Sequence, residues 1–104
     1  MSCPCEKTVA LLKKLGAVQA AKMHEADALD REWTADEWRA HMKEEEELLF
    51  PLLESGRPDL IELLRREHMV FRQELAIMGK LSCPELVTRH SQLEDMLVGK
   101  YLEG

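Results

Sequence analysis

Three clusters of helix-capping and helix-breaking residues divide this 104-residue chain: Trp33-Thr34-Ala35-Asp36, Ser55-Gly56-Arg57-Pro58 and Lys80-Leu81-Ser82-Cys83-Pro84. Between them no β-branched run alternates with polar residues, so strand signals are absent. The spacing predicts a first helical block from about Pro4 to Glu32, with Gly16 as its weak point. A second helix, capped by Thr34 or Asp36, runs to about Glu54. A third runs from Pro58 to about Lys80, and Ser82-Cys83-Pro84-Glu85 starts a fourth that ends near Leu102. Short connections make sequential helices antiparallel neighbours. The expected fold is all-α, an antiparallel up-down-up-down four-helix bundle over residues 1–104, with residues 1–10 as an N-terminal arm.

Composition bounds the partners. Hydrophobic residues make up 45% of the chain, enough for one core, and charged residues 33%. A net charge of -6 argues against nucleic acid and against docking on an anionic membrane. No apolar run approaches the roughly 20 residues that cross a bilayer. The first residues lack the basic and apolar regions of a signal peptide, so a cytoplasmic protein is expected. Three cysteines, Cys3, Cys5 and Cys83, do not make an even disulfide framework.

Each predicted helix carries one histidine on its apolar stripe. The third helix reads Leu60, Leu64, His68, Phe71, Leu75, Met78; the fourth reads Leu86, His90, Leu93, Glu94, Leu97, Tyr101. The second reads Trp38, His41, Glu45, Leu48, Leu52. The first, Ala-rich, reads Ala17, Ala20, His24, Ala28. His41/Glu45 and His90/Glu94 are i,i+4 pairs, each placing imidazole and carboxylate one turn apart on one face.

In an antiparallel pair, residues equidistant from the connecting turn lie at one height, because both helices rise ~1.5 Å per residue. The midpoint of His24 and His41 falls at the Trp33-Thr34 turn, and that of His41 and His68 at Ser55-Gly56. The midpoint of His68 with His90 and Glu94 falls at the Lys80-Leu81-Ser82 connection. All four histidines and both glutamates are therefore predicted at one level. Left unligated, such a layer would be costly, since each unpaired buried polar group costs ~1–3 kcal/mol. A domain of this size has only ~5–15 kcal/mol of total stability. Metal coordination removes the conflict, with His24, His41, Glu45, His68, His90 and Glu94 as candidate ligands. The bland alternative is an acidic solvated helix with ion-paired histidines in a helical interaction module. Four imidazoles and two carboxylates exceed one closed zinc site and suit two ions; mixed N/O ligation without thiolate favours iron, with manganese or zinc as alternatives.

Three pieces together resemble the hemerythrin-like, HHE cation-binding family: His41-x3-Glu45-Glu46 followed by Leu49-Phe50-Pro51, Glu67-His68, and His90-x3-Glu94-Asp95. The resemblance covers about residues 17 to 104. It implies a non-haem di-iron centre, oxo- or hydroxo-bridged, in a four-helix bundle, with His24, His41, His68 and His90 as terminal ligands and Glu45 and Glu94 bridging. It implies a protein that binds or senses dioxygen or iron, whose partner is dioxygen or another small diatomic ligand, more a binding protein than an enzyme. A di-iron oxidoreductase acting on nitric oxide, peroxide or dioxygen is the alternative. Two positions depart from the family pattern. Arg72 stands where the oxygen carriers have a second histidine on the third helix, and Met23-His24-Glu25 lacks the usual Glu-His pair.

Several side features carry expectations of their own. Of the run Glu44–Glu47, only Glu45 is expected to face inward, with Glu44, Glu46 and Glu47 on a solvated face. Met23, Met42, Met69 and Met96 are read as packing residues. Trp38, Phe71, Leu93 and Leu97 are expected to line the centre. Pro51, which cannot bond to the carbonyl of Glu47, should bend the second helix above it.

Overall fold

Pro58 and Pro84 each stand at the first position of a long helix, where a missing N–H costs nothing and the fixed φ is already helical. In the computed structural model, which describes residues 6–22 and 32–103, every regular element is helical. These are α1 (Glu6–Lys14), α2 (residues 18–22), α3 (Ala35–Glu44), a π-helical turn (Glu45–Leu49), α4 (Phe50–Glu54), α5 (Pro58–Met78) and α6 (Pro84–Glu103). No helix among the described residues is long and apolar enough to cross a membrane.

The first expected block is not one helix. It stops at Gly16, whose φ of 86° lies in the left-handed region that glycine enters without steric cost, and restarts at residue 18. Residues 6–10, expected in an arm, belong to α1, which packs on α6 and buries Thr8, Val9, Leu11 and Leu12. Cys3 and Cys5 lie outside the described residues. Thr34 caps α3 in a reciprocal capping box with Glu37, and Gly79, with φ 72°, closes the C-terminus of α5.

Side-chain contacts fix the direction of packing. Glu45 and Glu46 meet His68, Glu46 meets Arg72, and Glu54 meets Arg65, so higher positions on α3–α4 meet lower ones on α5. Likewise Glu67 meets His90 and Glu74 meets Ser82 across the α5–α6 connection. Both pairs are antiparallel. Two apolar clusters form: Leu11, Leu12, Leu49, Phe50, Leu53, Ile61, Leu64, Leu97 and Val98 in one, Met42, Phe71 and Leu75 in the other.

The buried positions correct the expected stripes where the helix departs from a 3.6-residue period. On α3–α4 the core takes Leu49 and Leu53 rather than Leu48 and Leu52. The π-helical turn holds one residue more than an α-turn, as the bond from the Phe50 N–H to the Glu45 carbonyl shows, and everything after it shifts by one. Pro51 stands two residues after this turn, in the first turn of α4, where a missing N–H is tolerated. On α5, Met78 is exposed, and on α6 so is Tyr101, while Ile61 and Val98 are buried. Met42 packs in the core, Met69 and Met96 are exposed, and Met23 lies outside the described residues.

Candidate metal centre

The helices bring Glu45, His68, His90 and Glu94 into one buried group, each at most 5% exposed, with one ligand atom from each lying within 4.8 Å of the others. Glu45 comes from the π-helical turn, His68 from α5, His90 and Glu94 from α6. Phe50 stacks on the His68 ring at 5.2 Å, and Phe71 meets the His90 ring edge-on at 5.3 Å. Each apolar cluster thus supplies one aromatic wall. Water is excluded from the space between, and polar groups there must satisfy one another or a ligand.

The donor atoms converge. His68 Nε2 lies 3.1 Å from His90 Nε2 and 3.2 Å from Glu45 Oε1, and His90 Nε2 lies 2.9 Å from Glu94 Oε2. Both imidazoles point Nε2 inward, and both have Nδ1 held from behind by a carboxylate. His68 Nδ1 donates to Glu46 Oε2 at 2.8 Å, and His90 Nδ1 donates to Glu67 Oε1 at 2.7 Å. Glu46 in turn accepts two bonds of 2.8 Å from the Arg72 guanidinium, a bidentate charge-assisted pair. A carboxylate behind an imidazole whose other nitrogen faces a shared centre is the usual outer layer of a metal site.

His41 joins this group at its edge. Its Nε2 is 3.5 Å from Glu45 Oε2, its ring meets Trp33 edge-on at 5.7 Å, and its Nδ1 has no hydrogen-bond partner among the described residues. Glu45 Oε2 is also buried without a hydrogen bond. His24 lies outside the described residues. Of the expected lining, Phe71 touches the histidines, Trp38 packs with Met42, Phe71 and Leu75, and Leu93 and Leu97 belong to the opposite cluster.

Two carboxylates expected on a solvated face are not there. Glu46 turns to His68 and Arg72, and Glu44 accepts the backbone N–H groups of Gln19 (2.8 Å) and Ala20 (3.0 Å) at the start of α2. Glu45 and Glu46 are consecutive on the helix and meet the same ring at its two nitrogens, Glu45 at Nε2 and Glu46 at Nδ1. Glu67 was adjacent to a candidate ligand and equidistant with His90 from the α5–α6 turn, a signal that could have placed it in the site. Nothing in the sequence pattern marks Glu44 as a cap for a helix 25 residues away in the chain.

Protonation follows from burial and pairing. Burial lowers His41 to about 4 and lowers His68 as well, the latter opposed in part by Glu46. Burial would also lower His90, but its bonds to Glu67 and Glu94 outweigh it and raise the group to about 9. Burial and the neighbouring Glu94 carboxylate push Glu45 well above the usual carboxyl range; against the same burial, the partners Glu45 and His90 hold Glu94 low. Glu46 is pulled down to about 2, its bonds to His68 and Arg72 overcoming desolvation. Without a metal, then, His90 carries a proton on each nitrogen, and its Nε2–H donates to Glu94 with the neutral His68 Nε2 as a second acceptor.

The residues fit a divalent or trivalent cation. Two imidazole Nε2 atoms face each other across one proton, and two carboxylates, Glu45 and Glu94, lie against them. A cation there would replace those protons and satisfy all four donors at once. Comparison with known proteins gives no further guide: no family model matches the chain, and no curated protein or solved structure is similar to it.

Proposed function

We propose that this protein is a non-haem di-iron protein, folded as an up-down-up-down four-helix bundle, that binds or senses dioxygen. The observation that carries the reading is the convergence of Glu45, His68, His90 and Glu94, with a carboxylate behind each of the two imidazoles. The resemblance of His41-x3-Glu45, Glu67-His68 and His90-x3-Glu94 to the hemerythrin-like family supports iron, as does a donor set of nitrogen and oxygen without thiolate. His68 and His90 would hold the metal through Nε2, Glu45 and Glu94 through carboxylate oxygens, and His41 and His24 would complete the set. Iron would supply the electrons and the open coordination positions that dioxygen binding needs.

The protein's own groups give that centre its character. Phe50 and Phe71 exclude water, Glu46 and Glu67 fix the two rings, and Glu45 and His90 carry the protons that must leave on metal binding. Ferrous iron added anaerobically to chelator-treated protein should load to two per chain, and admitting air should change the near-ultraviolet and visible spectrum. Uptake of manganese or zinc with refusal of iron would replace the metal, and failure to take up any metal would overturn the reading.

A second reading, a di-iron oxidoreductase acting on nitric oxide, peroxide or dioxygen, is favoured by one observation. Arg72 is committed to Glu46 and supplies no imidazole where the oxygen carriers have one, so the centre would have one protein ligand fewer. Repeated turnover by the reduced, iron-loaded protein would support it, and a single stoichiometric bleaching would count against it.

A further inference from the structure

His68 is held on both nitrogens by consecutive residues of the π-helical turn: Glu45 faces Nε2 at 3.2 Å and Glu46 accepts from Nδ1 at 2.8 Å. Glu46 is itself fixed, because both terminal nitrogens of Arg72 donate to its two oxygens, Nη1 to Oε2 and Nη2 to Oε1. One oxygen, Oε2, therefore receives both the imidazole and the guanidinium. The chain Arg72–Glu46–His68 runs from a side chain 38% exposed to a ring that is fully enclosed. His41 is the contrast within the same molecule, since its Nδ1 meets no such partner among the described residues.

We propose that Glu46, clamped by Arg72, is the positioning residue of the centre. It locks His68 in the Nδ1–H tautomer, so that the Nε2 lone pair points at the metal. The proposal rests on the metal-binding reading and adds to it a role for two residues that touch no metal. The physics is that of a restrained ligand. A neutral imidazole has two tautomers and a ring that can turn over, and only one combination presents a lone pair to the centre. A fixed anionic acceptor behind the ring selects that combination before the cation arrives and raises the basicity of the facing nitrogen. Arg72 matters because a carboxylate alone on a half-buried turn can rotate, whereas a bidentate partner holds its plane.

The test reads the tautomer in the metal-free chain and affinity separately. Long-range proton–nitrogen spectra of the metal-free, histidine-labelled protein should show His68 protonated at Nδ1. Glu46→Ala should weaken that preference, leaving only the part that the His90 Nε2–H imposes from the other side, Arg72→Met should weaken it less, and Glu46→Gln, which retains an acceptor, should largely keep it. Cobalt(II) titration, followed by its visible absorption, should show 10–100-fold weaker binding in Glu46→Ala, with Glu46→Gln close to the native chain. His68 protonated at Nε2 in the native chain, or unchanged cobalt affinity in both Glu46→Ala and Arg72→Met, overturns the positioning role alone. No cobalt uptake by the native chain overturns the metal-binding reading beneath it.

Discussion

Two imidazole nitrogens 3.1 Å apart cannot both be protonated and cannot both present lone pairs without repulsion. At the residue scale the metal-free site therefore settles into one charged ring, His90, and one neutral ring, His68, with Glu45 keeping its proton. This has a consequence for stability. The folded chain holds a proton on His90 that the unfolded chain has released once pH exceeds the ordinary value of 6.5. The stabilisation is whole below 6.5 and is lost as pH rises toward about 9. A tenfold difference in proton affinity between the folded and unfolded chain is worth ~1.4 kcal/mol. Urea unfolding of the metal-free protein should therefore show a loss of about 3 kcal/mol across that window. A flat profile there would mean that His90 is not held as described. Metal affinity should move the other way, rising over the same window as fewer protons must be displaced; calorimetry in buffers of different ionisation enthalpy would count them. Of the six candidate ligands, Glu45, His68, His90 and Glu94 were legible from apolar stripe and equidistance from the turns, because both rules depend only on helical rise. Glu46 was not, because its direction depends on the partners, His68 and Arg72, that another helix brings beside it.

At the scale of elements, the short N-terminal helices are held by carboxylates from other helices. Asp95 on α6 accepts both the backbone N–H and the hydroxyl of Thr8 in the first turn of α1, and Glu44 at the end of α3 accepts two N–H groups at the start of α2. N–H groups in a first turn lack a partner within their own helix, and a cap that meets them contributes about 1 kcal/mol. Glu44→Ala should therefore destabilise the chain by about 1–2 kcal/mol in denaturant unfolding, with little change in the ligands themselves. A cost near zero would assign Glu44 back to a solvated face. Local caps such as Thr34 with Glu37 are readable from sequence, since both partners lie within one turn. Caps delivered across the fold are not. The break at Gly16 was signalled only as a weak point and the π-helical turn before Pro51 only as a bend: glycine and proline mark where a helix can change, and the packing on either side decides how it does.

For the whole molecule, the radius of gyration of 12.9 Å is that of a compact domain of this length, about 13 Å. Its core has a polar layer that meets both apolar clusters: the His68 ring lies 5.2 Å from Phe50 of one and 6.4 Å from Phe71 of the other. A metal bound in that layer would stabilise the folded state by linkage, by about 2.7 kcal/mol at a free concentration one hundred times Kd. For a domain of about 100 residues this raises the melting temperature by roughly 10 °C or more. His68→Ala should abolish that rise. Such dependence separates a metal protein from a helical interaction module, in which the same substitution would leave the response to metal unchanged. The most direct test is anaerobic titration of the chelator-treated chain with ferrous iron, reading bound iron per protein. Two irons per chain, lost in His68→Ala, is the expected result; a chain that takes up none would contradict the metal centre.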